Sequence, residues 1–532
     1  MSKTNESVKG AEIYETSGLL EYKFVITRNE PAMEGLERKR RRSFVDGPIP
    51  DWKNSSFIGI LFVMFSILTD RWFDGERFCY DTVRMDIAGE TITRIKPVDS
   101  ELSAVAIEPC PSHLLDARGT TVIPGLINTH THIARGGMFR ADESFSPVQV
   151  VQNLENALCA GVTTVGDMGG VTGLSRALRE HFERHPTAGP SVKAGGPLLT
   201  VSGGYPLDWL PPLSALLGAA LPCSDGQDAR HAVRHVHRMG MDFIKLAIMH
   251  QSYAEKPISV IREETATELI AEARALDLNV LCHAHYLADY KMALRLGVDA
   301  LMHSCFEPLD AETVARIRDS GIPVCPTLWV FESAVMGVEN RLDRDPRYTR
   351  YVSSGIRNDW KRFCDAYETS GDVLPPVTVA AGLPKARAMD AIRTAPENLM
   401  MLRDAGVPIV FGSDSPYGFS LLNRPTDELQ AMERAGMNQA ECLQAATSRA
   451  AELLGLNDRG RLEPGKRADI VILEGDAGGG LNAVDQILEV IVAGNKLGNL
   501  PFWKKAANRA GTGKAILQGV ASTGVDAIRY RA

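Results

Sequence analysis

Short runs in which apolar and polar residues alternate mark the first patterned part of the chain. Residues 66–68, 82–87 and 92–95 are β-branched, period-two segments separated by Asp-Gly or Gly-Glu turns, and they predict a small β-domain. From Val122 onward, apolar stretches alternate with longer helical ones, the pattern of successive βα units. Candidate strands lie at 122–128, 163–167, 192–194, 243–248, 280–283, 300–303, 323–326 and 408–412. The intervening helices include 261–275, where Leu269, Ile270 and Ala273 form an apolar stripe. Eight such units predict an α/β fold, a (β/α)8 TIM barrel whose site sits at the C-terminal ends of its strands. Beyond it, 469–473 and 490–492 read as strands again and can rejoin the first β segments.

The expected organisation is an N-terminal extension (1–55), a first β segment (56–121), the barrel (122–460), a second β segment (461–500) and a C-terminal extension (501–532). The two β segments would make one discontinuous, β-sandwich-like domain. The stretch from 326 to 408 is longer than one helix needs. Its Trp329, Phe331, Trp360, Phe363 and Tyr367 fit either an ordered insertion over the barrel mouth or a helical excursion without function.

Composition narrows the class. At 532 residues, 44% hydrophobic and 23% charged, the chain is neither disordered nor fibrous. A net charge of −8 lacks the basic excess of a general nucleic-acid binder. The nine cysteines are scattered, with no CxxC pair, and point to a reducing, cytoplasmic setting. The apolar run 57–68 falls short of the roughly 18 to 20 residues that span a bilayer and reads as a buried strand, so no membrane association is expected. The basic cluster Arg38 to Arg42 reads as a solvated tail, with an import or phosphate patch as the other reading.

The strongest chemical signal is Asn128-Thr129-His130-Thr131-His132 at the end of the first barrel strand. Residues i and i+2 of a strand share a face, so His130 and His132 can aim at one point, and two converging imidazoles suit a borderline cation such as zinc. Further ligand-type residues fall at other predicted strand ends: Lys245, His283, His303 and, just past the eighth, Asp414. Each alone is ordinary; together they define a site. His285, His250 and Tyr253 are additional mouth-facing candidates for substrate contact.

These blocks resemble the amidohydrolase superfamily of metal-dependent hydrolases, in the branch of imidazolonepropionase-like enzymes, Xaa-Pro dipeptidases and mycotoxin amidases. The likeness spans roughly 65–497 and includes Ala160-Gly161-Val162-Thr163-Thr164-Val165, Phe411-Gly412-Ser413-Asp414 and Leu462-Glu463-Pro464-Gly465-Lys466-Arg467-Ala468-Asp469. It implies two divalent metal ions, zinc by expectation: one on His130, His132 and Asp414, the other on His283 and His303. Lys245, as a carbamate, would bridge them. The family's interval between its fifth- and sixth-strand histidines selects His283 over His285 as the ligand. It also implies Asp414 as the proton acceptor and donor, an amide C–N bond as the target and a homo-oligomer acting on a small molecule. Where relatives often carry Gly-Gly-His, this chain has Gly203-Gly204-Tyr205, so substrate identity does not transfer. With Trp209, Trp329 and Phe331, Tyr205 favours a bulky or aromatic amide. An esterase or lactonase, a Xaa-Pro-type dipeptidase and a non-catalytic binding protein are the competing readings.

Overall fold

The computed structural model describes residues 7–16, 19–27, 64–98, 114–135, 146–208, 219–253, 255–370, 385–498 and 502–531. The cluster Arg38 to Arg42, residues 57–63 of the apolar run and Trp209 lie outside them. Two compact units result. In the first, Ser7–Thr16 pairs antiparallel with Leu19–Thr27.

The second unit, from Phe62 on, holds everything else. A four-stranded sheet runs in the order Thr91–Pro97, Val83–Ala88, Met64–Thr69, Leu114–Asp116. In Val83–Ala88 alternate residues are buried, Val83, Met85 and Ile87 inward, as a half-buried strand requires. A six-stranded sheet places Ile470–Leu473 antiparallel to Thr121–Pro124, so segments on either side of the central region share a sheet. Ile67, Met85, Ile87, Val122, Ile470 and Ile491 form one core between the sheets.

The central region is a TIM-barrel-like α/β arrangement. Parallel strands Leu126–Thr131, Val162–Asp167 and Ser191–Ala194 form one sheet. A second takes the order Ala220–Pro222, Leu198–Thr200, Ile244–Ala247, Val280–His283, Ala300–Met302, Val324–Cys325. The chain passes between them at Gly195 and Gly196: a Cβ on Gly195 would lie 2.6 Å from the Phe243 ring, and Gly196 has φ +68. Buried Leu269, Ile270 and Ala273 seat helix Glu263–Ala275 as its stripe requires.

Three strand expectations change. The single strand expected over 122–128 is two, Thr121–Pro124 in the six-stranded sheet and Leu126–Thr131 in the central region. They part at Gly125, where a Cβ would sit 2.3 Å from Thr163 Oγ1. The segment 408–412 is extended but irregular: Val410 N donates to Val324 O on one side, and Thr129 N to Phe411 O on the other. Leu198–Thr200 and Ala220–Pro222 were not anticipated, being too short to show a period.

The long stretch after Pro326 folds into helices Leu328–Glu339, Pro346–Thr349, Ser354–Ser370 and Lys385–Asp404. Trp329, Trp360, Phe363 and Tyr367 are buried in one core with Tyr205, Tyr253, Tyr286 and Phe306, so this insertion packs on residues that follow the strand ends. Helix Phe502–Arg531 lies along Thr172–Arg184, with Gly519 allowing close approach to the Gly173 carbonyl. Among the described residues, no helix is long and apolar enough to cross a membrane.

Candidate metal centre

Strand Leu126–Thr131 and the extended segment after 408 are locked side by side before any ligand is considered. Asn128 donates through Nδ2 to Ser413 Oγ (2.6 Å), and its Oδ1 accepts from Ser413 N (3.1 Å) and His130 N (3.3 Å). Asp414 N then donates to His130 O, and His132 N to Ser415 O. This register brings Asp414 Oδ1 to 3.0 Å from His132 Nε2 and 3.5 Å from His130 Nε2.

His132 Nδ1 faces the Gly169 carbonyl at 3.0 Å. A carbonyl only accepts, so in the neutral ring Nδ1 carries the proton and Nε2 presents a lone pair to the Asp414 carboxylate. Two acceptors this close call for a cation or a proton between them. His130 is fully buried and neither ring nitrogen has a hydrogen-bond partner among the described residues; Asp414 Oδ1 makes no hydrogen bond either. Such orphans are rare in folded proteins unless an ion takes them up.

Alongside sits a second set. His283, His285 and His303 are all buried, and one ligand atom from each lies within 4.8 Å of the others, as in the set His130, His132, Asp414. The His130 and His303 rings, 4.5 Å apart, join the two sets. His283 Nε2 has no partner among the described residues, and its ring is stacked at 4.0 Å under that of Tyr205. His303 Nδ1 lies 2.9 Å from Thr327 Oγ1.

His285 differs. Its Nδ1 faces the Ser304 carbonyl at 3.2 Å and its Nε2 the Tyr253 hydroxyl at 3.1 Å. Burial pushes this imidazole down to about 3, so it is neutral, with Nδ1 donating and Nε2 accepting from Tyr253. The Tyr205 ring meets that of Tyr253 edge-on, centroids 5.9 Å apart. Burial likewise holds His130, His283 and His303 well below the usual histidine range, in the neutral form a metal requires.

Lys245 is 1% exposed and its Nζ has no partner among the described residues. Burial pushes the ammonium down to about 8, putting the free amine within reach near neutral pH. Backbone strain concentrates here: His303 and Asp414 have φ +80 and +50, and Thr327 has φ +46. Non-glycine residues in this region persist only where their surroundings hold them.

The expected ligands His130, His132, His283, His303 and Asp414 thus come together, with Lys245 near enough for its charge to act on His130, His283 and His303 and with His285, Tyr205 and Tyr253 packed beside them. His250 stands apart, half-exposed, its Nδ1 2.5 Å from Asp289, which raises its pKa. Thr327 and Asn128 escaped the sequence reading, since a threonine or asparagine one layer behind a ligand has no motif of its own. The orphaned nitrogens, the neutral imidazoles and the carboxylate facing a lone pair fit a bound metal ion.

A sequence model of the amidohydrolase family matches residues 121–509. The imidazolonepropionase of Paracoccus denitrificans (strain Pd 1222) is 29% identical over 397 residues, covering 67% of this chain and 80% of that one. Among solved structures, a Xaa-Pro dipeptidase with bound methionine in the active site superposes with a TM-score of 0.63 at 20% identity, over 81% of this chain and 99% of its own. The ochratoxinase of A. niger gives 0.61 at 18% identity, over 83% and 98%.

Proposed function

The chain belongs to the amidohydrolase family, and from that premise we propose that it is a metal-dependent hydrolase cleaving a C–N amide bond of a small molecule at a binuclear zinc site. The observation that carries this reading is that two adjacent sets of ligand-type side chains, all buried but the partly exposed His132, lie within electrostatic reach of Lys245, whose amine has no partner among the described residues. His130, His132 and Asp414 would hold one cation, His283 and His303 the other, and Lys245 as its carbamate would bridge them. Bound there, divalent cations supply an acidified water and polarisation of a carbonyl.

The protein's own residues do the rest. Asp414 takes the proton from the attacking water and delivers it to the leaving nitrogen, so the two products separate as acid and amine. Tyr205 and Tyr253, buried beside His283 and His285, wall the site with aromatic surface and favour a bulky or aromatic amide. A closed eight-stranded barrel, a discontinuous β-sandwich-like domain, a cytoplasmic setting and assembly of identical copies complete the reading.

The test is metal analysis with turnover. Zinc-loaded protein is expected to hold about two ions per chain and to hydrolyse members of a panel of N-acyl amino acids, Xaa-Pro dipeptides and aryl amides. Asp414→Asn should lower turnover by about 10²-fold or more. Full activity in that variant would sink the assignment.

A further inference from the structure

Behind the second ligand set lies a carboxylate that the proposed chemistry does not use. Glu428, on helix Pro425–Arg434, is fully buried. The nearby guanidinium of Arg434 is engaged by Glu332 at 2.6 Å. Glu428 instead takes two backbone N–H groups, Leu328 N on Oε1 (2.8 Å) and Trp329 N on Oε2 (2.6 Å). These are the first two residues of helix Leu328–Glu339.

The residue before that helix is Thr327. A threonine at such a helix start ordinarily turns its hydroxyl onto the first-turn N–H groups. Here it makes no such bond. Its Oγ1 is 2.9 Å from His303 Nδ1, and both residues are buried. To point there, Thr327 adopts φ +46, a conformation that a β-branched residue occupies only under constraint.

The geometry points to Glu428 as a positioning residue for the metal site: it caps the helix in place of Thr327, which frees and holds the Thr327 hydroxyl to orient His303. His303 Nδ1 also lies 3.7 Å from Asp414 Oδ2, but its shorter contact is the one to Thr327; engaged there as a donor to Oγ1, it leaves Nε2 as the ring nitrogen that would hold a cation, with the ring's rotation fixed. The carboxylate is 101 positions away from Thr327 in sequence, and its hydrogen bonds run to the helix start at Leu328 and Trp329. The inference rests on the reading of His303 as a ligand.

Chelator competition on the purified full chain separates the two ideas. Wild type that binds no zinc overturns the metal reading and this inference with it. If wild type binds two ions, Glu428→Ala should weaken one of them by about 10- to 100-fold and leave the other unchanged. Thr327→Val should reproduce that selective loss, and the double variant should be little worse than either single one. Glu428→Gln keeps the reach and one acceptor oxygen and should retain most of the affinity; if the alanine protein does not fold, Thr327→Val, which leaves the helix cap on Glu428 in place, carries the test. A lowered melting temperature in Glu428→Ala with both zinc affinities intact, or a Thr327→Val protein that binds both ions as tightly as wild type, would make Glu428 purely structural and overturn the proposal.

Discussion

His283 and His285 lie two residues apart, yet their rings are occupied differently. His285 uses both nitrogens, on the Ser304 carbonyl and the Tyr253 hydroxyl, whereas His283 Nε2 has no partner among the described residues. His283→Asn should therefore lose one of two bound zinc ions, and His285→Asn should keep both, as counted by elemental analysis; the opposite pattern would reverse the assignment. Lys245 offers a second test. A carbamate forms only from the free amine, and with the ammonium pushed down to about 8 that fraction grows as pH rises through 8. Reconstitution of metal-free protein with zinc should depend on carbon dioxide supplied as bicarbonate and, at a fixed concentration of dissolved CO2, proceed faster at pH 9 than at pH 7. Bicarbonate-independent reconstitution would argue for an unmodified lysine. At this scale the ligand types were legible, because His-x-His and the strand-end residues stand in the sequence; the tautomers were not, because Ser304, Tyr253 and Gly169 reach the rings only through folding.

The strands that bear candidate ligands deliver one or two each, and what sets their register is seldom the strand itself. Gly125 separates a strand of the six-stranded sheet from the one bearing His130 and His132. Its Cβ space is filled by Thr163. Gly125→Ala should push Leu126–Thr131 away from its neighbour Val162–Asp167 and destabilise the protein by about 1–3 kcal/mol, seen as a lower melting temperature with weaker zinc binding. An unchanged melting temperature would show that Thr163 can yield. Periodicity located most central strands to within a residue or two, since buried parallel strands are short apolar runs between turns. It missed the break at Gly125, because 122–128 is apolar on both sides of the glycine and a change of sheet leaves no trace in hydropathy. It also overstated 408–412, whose backbone hydrogen bonds to the last and the first central strands run through one residue of each, Val324 by two bonds and Thr129 by one.

Across the whole molecule, bound metal should be a large part of the stability. A site saturated at 1,000 times its dissociation constant adds about 4 kcal/mol to the folded state. Chelation should accordingly lower the melting temperature, and zinc should restore it; a chelator-insensitive transition would mean that the clusters hold no structural ion. The helices of 328–404 and helix Phe502–Arg531 have no counterpart in the motif blocks, and their placement came from packing: Trp360 and Phe363 against the core that includes Tyr253 and Phe306, and Gly519 against Gly173. The sequence by itself determined the βα rhythm, the kinds of ligand and the family, because periodicity and motif spacing are local properties of the chain. Only the tertiary structure decided which ring nitrogens remain without partners, that Asp414 meets His132 across 282 positions, and that Glu428 stands behind His303. Those relations depend on burial and on contacts between residues far apart in the chain, which no local pattern encodes.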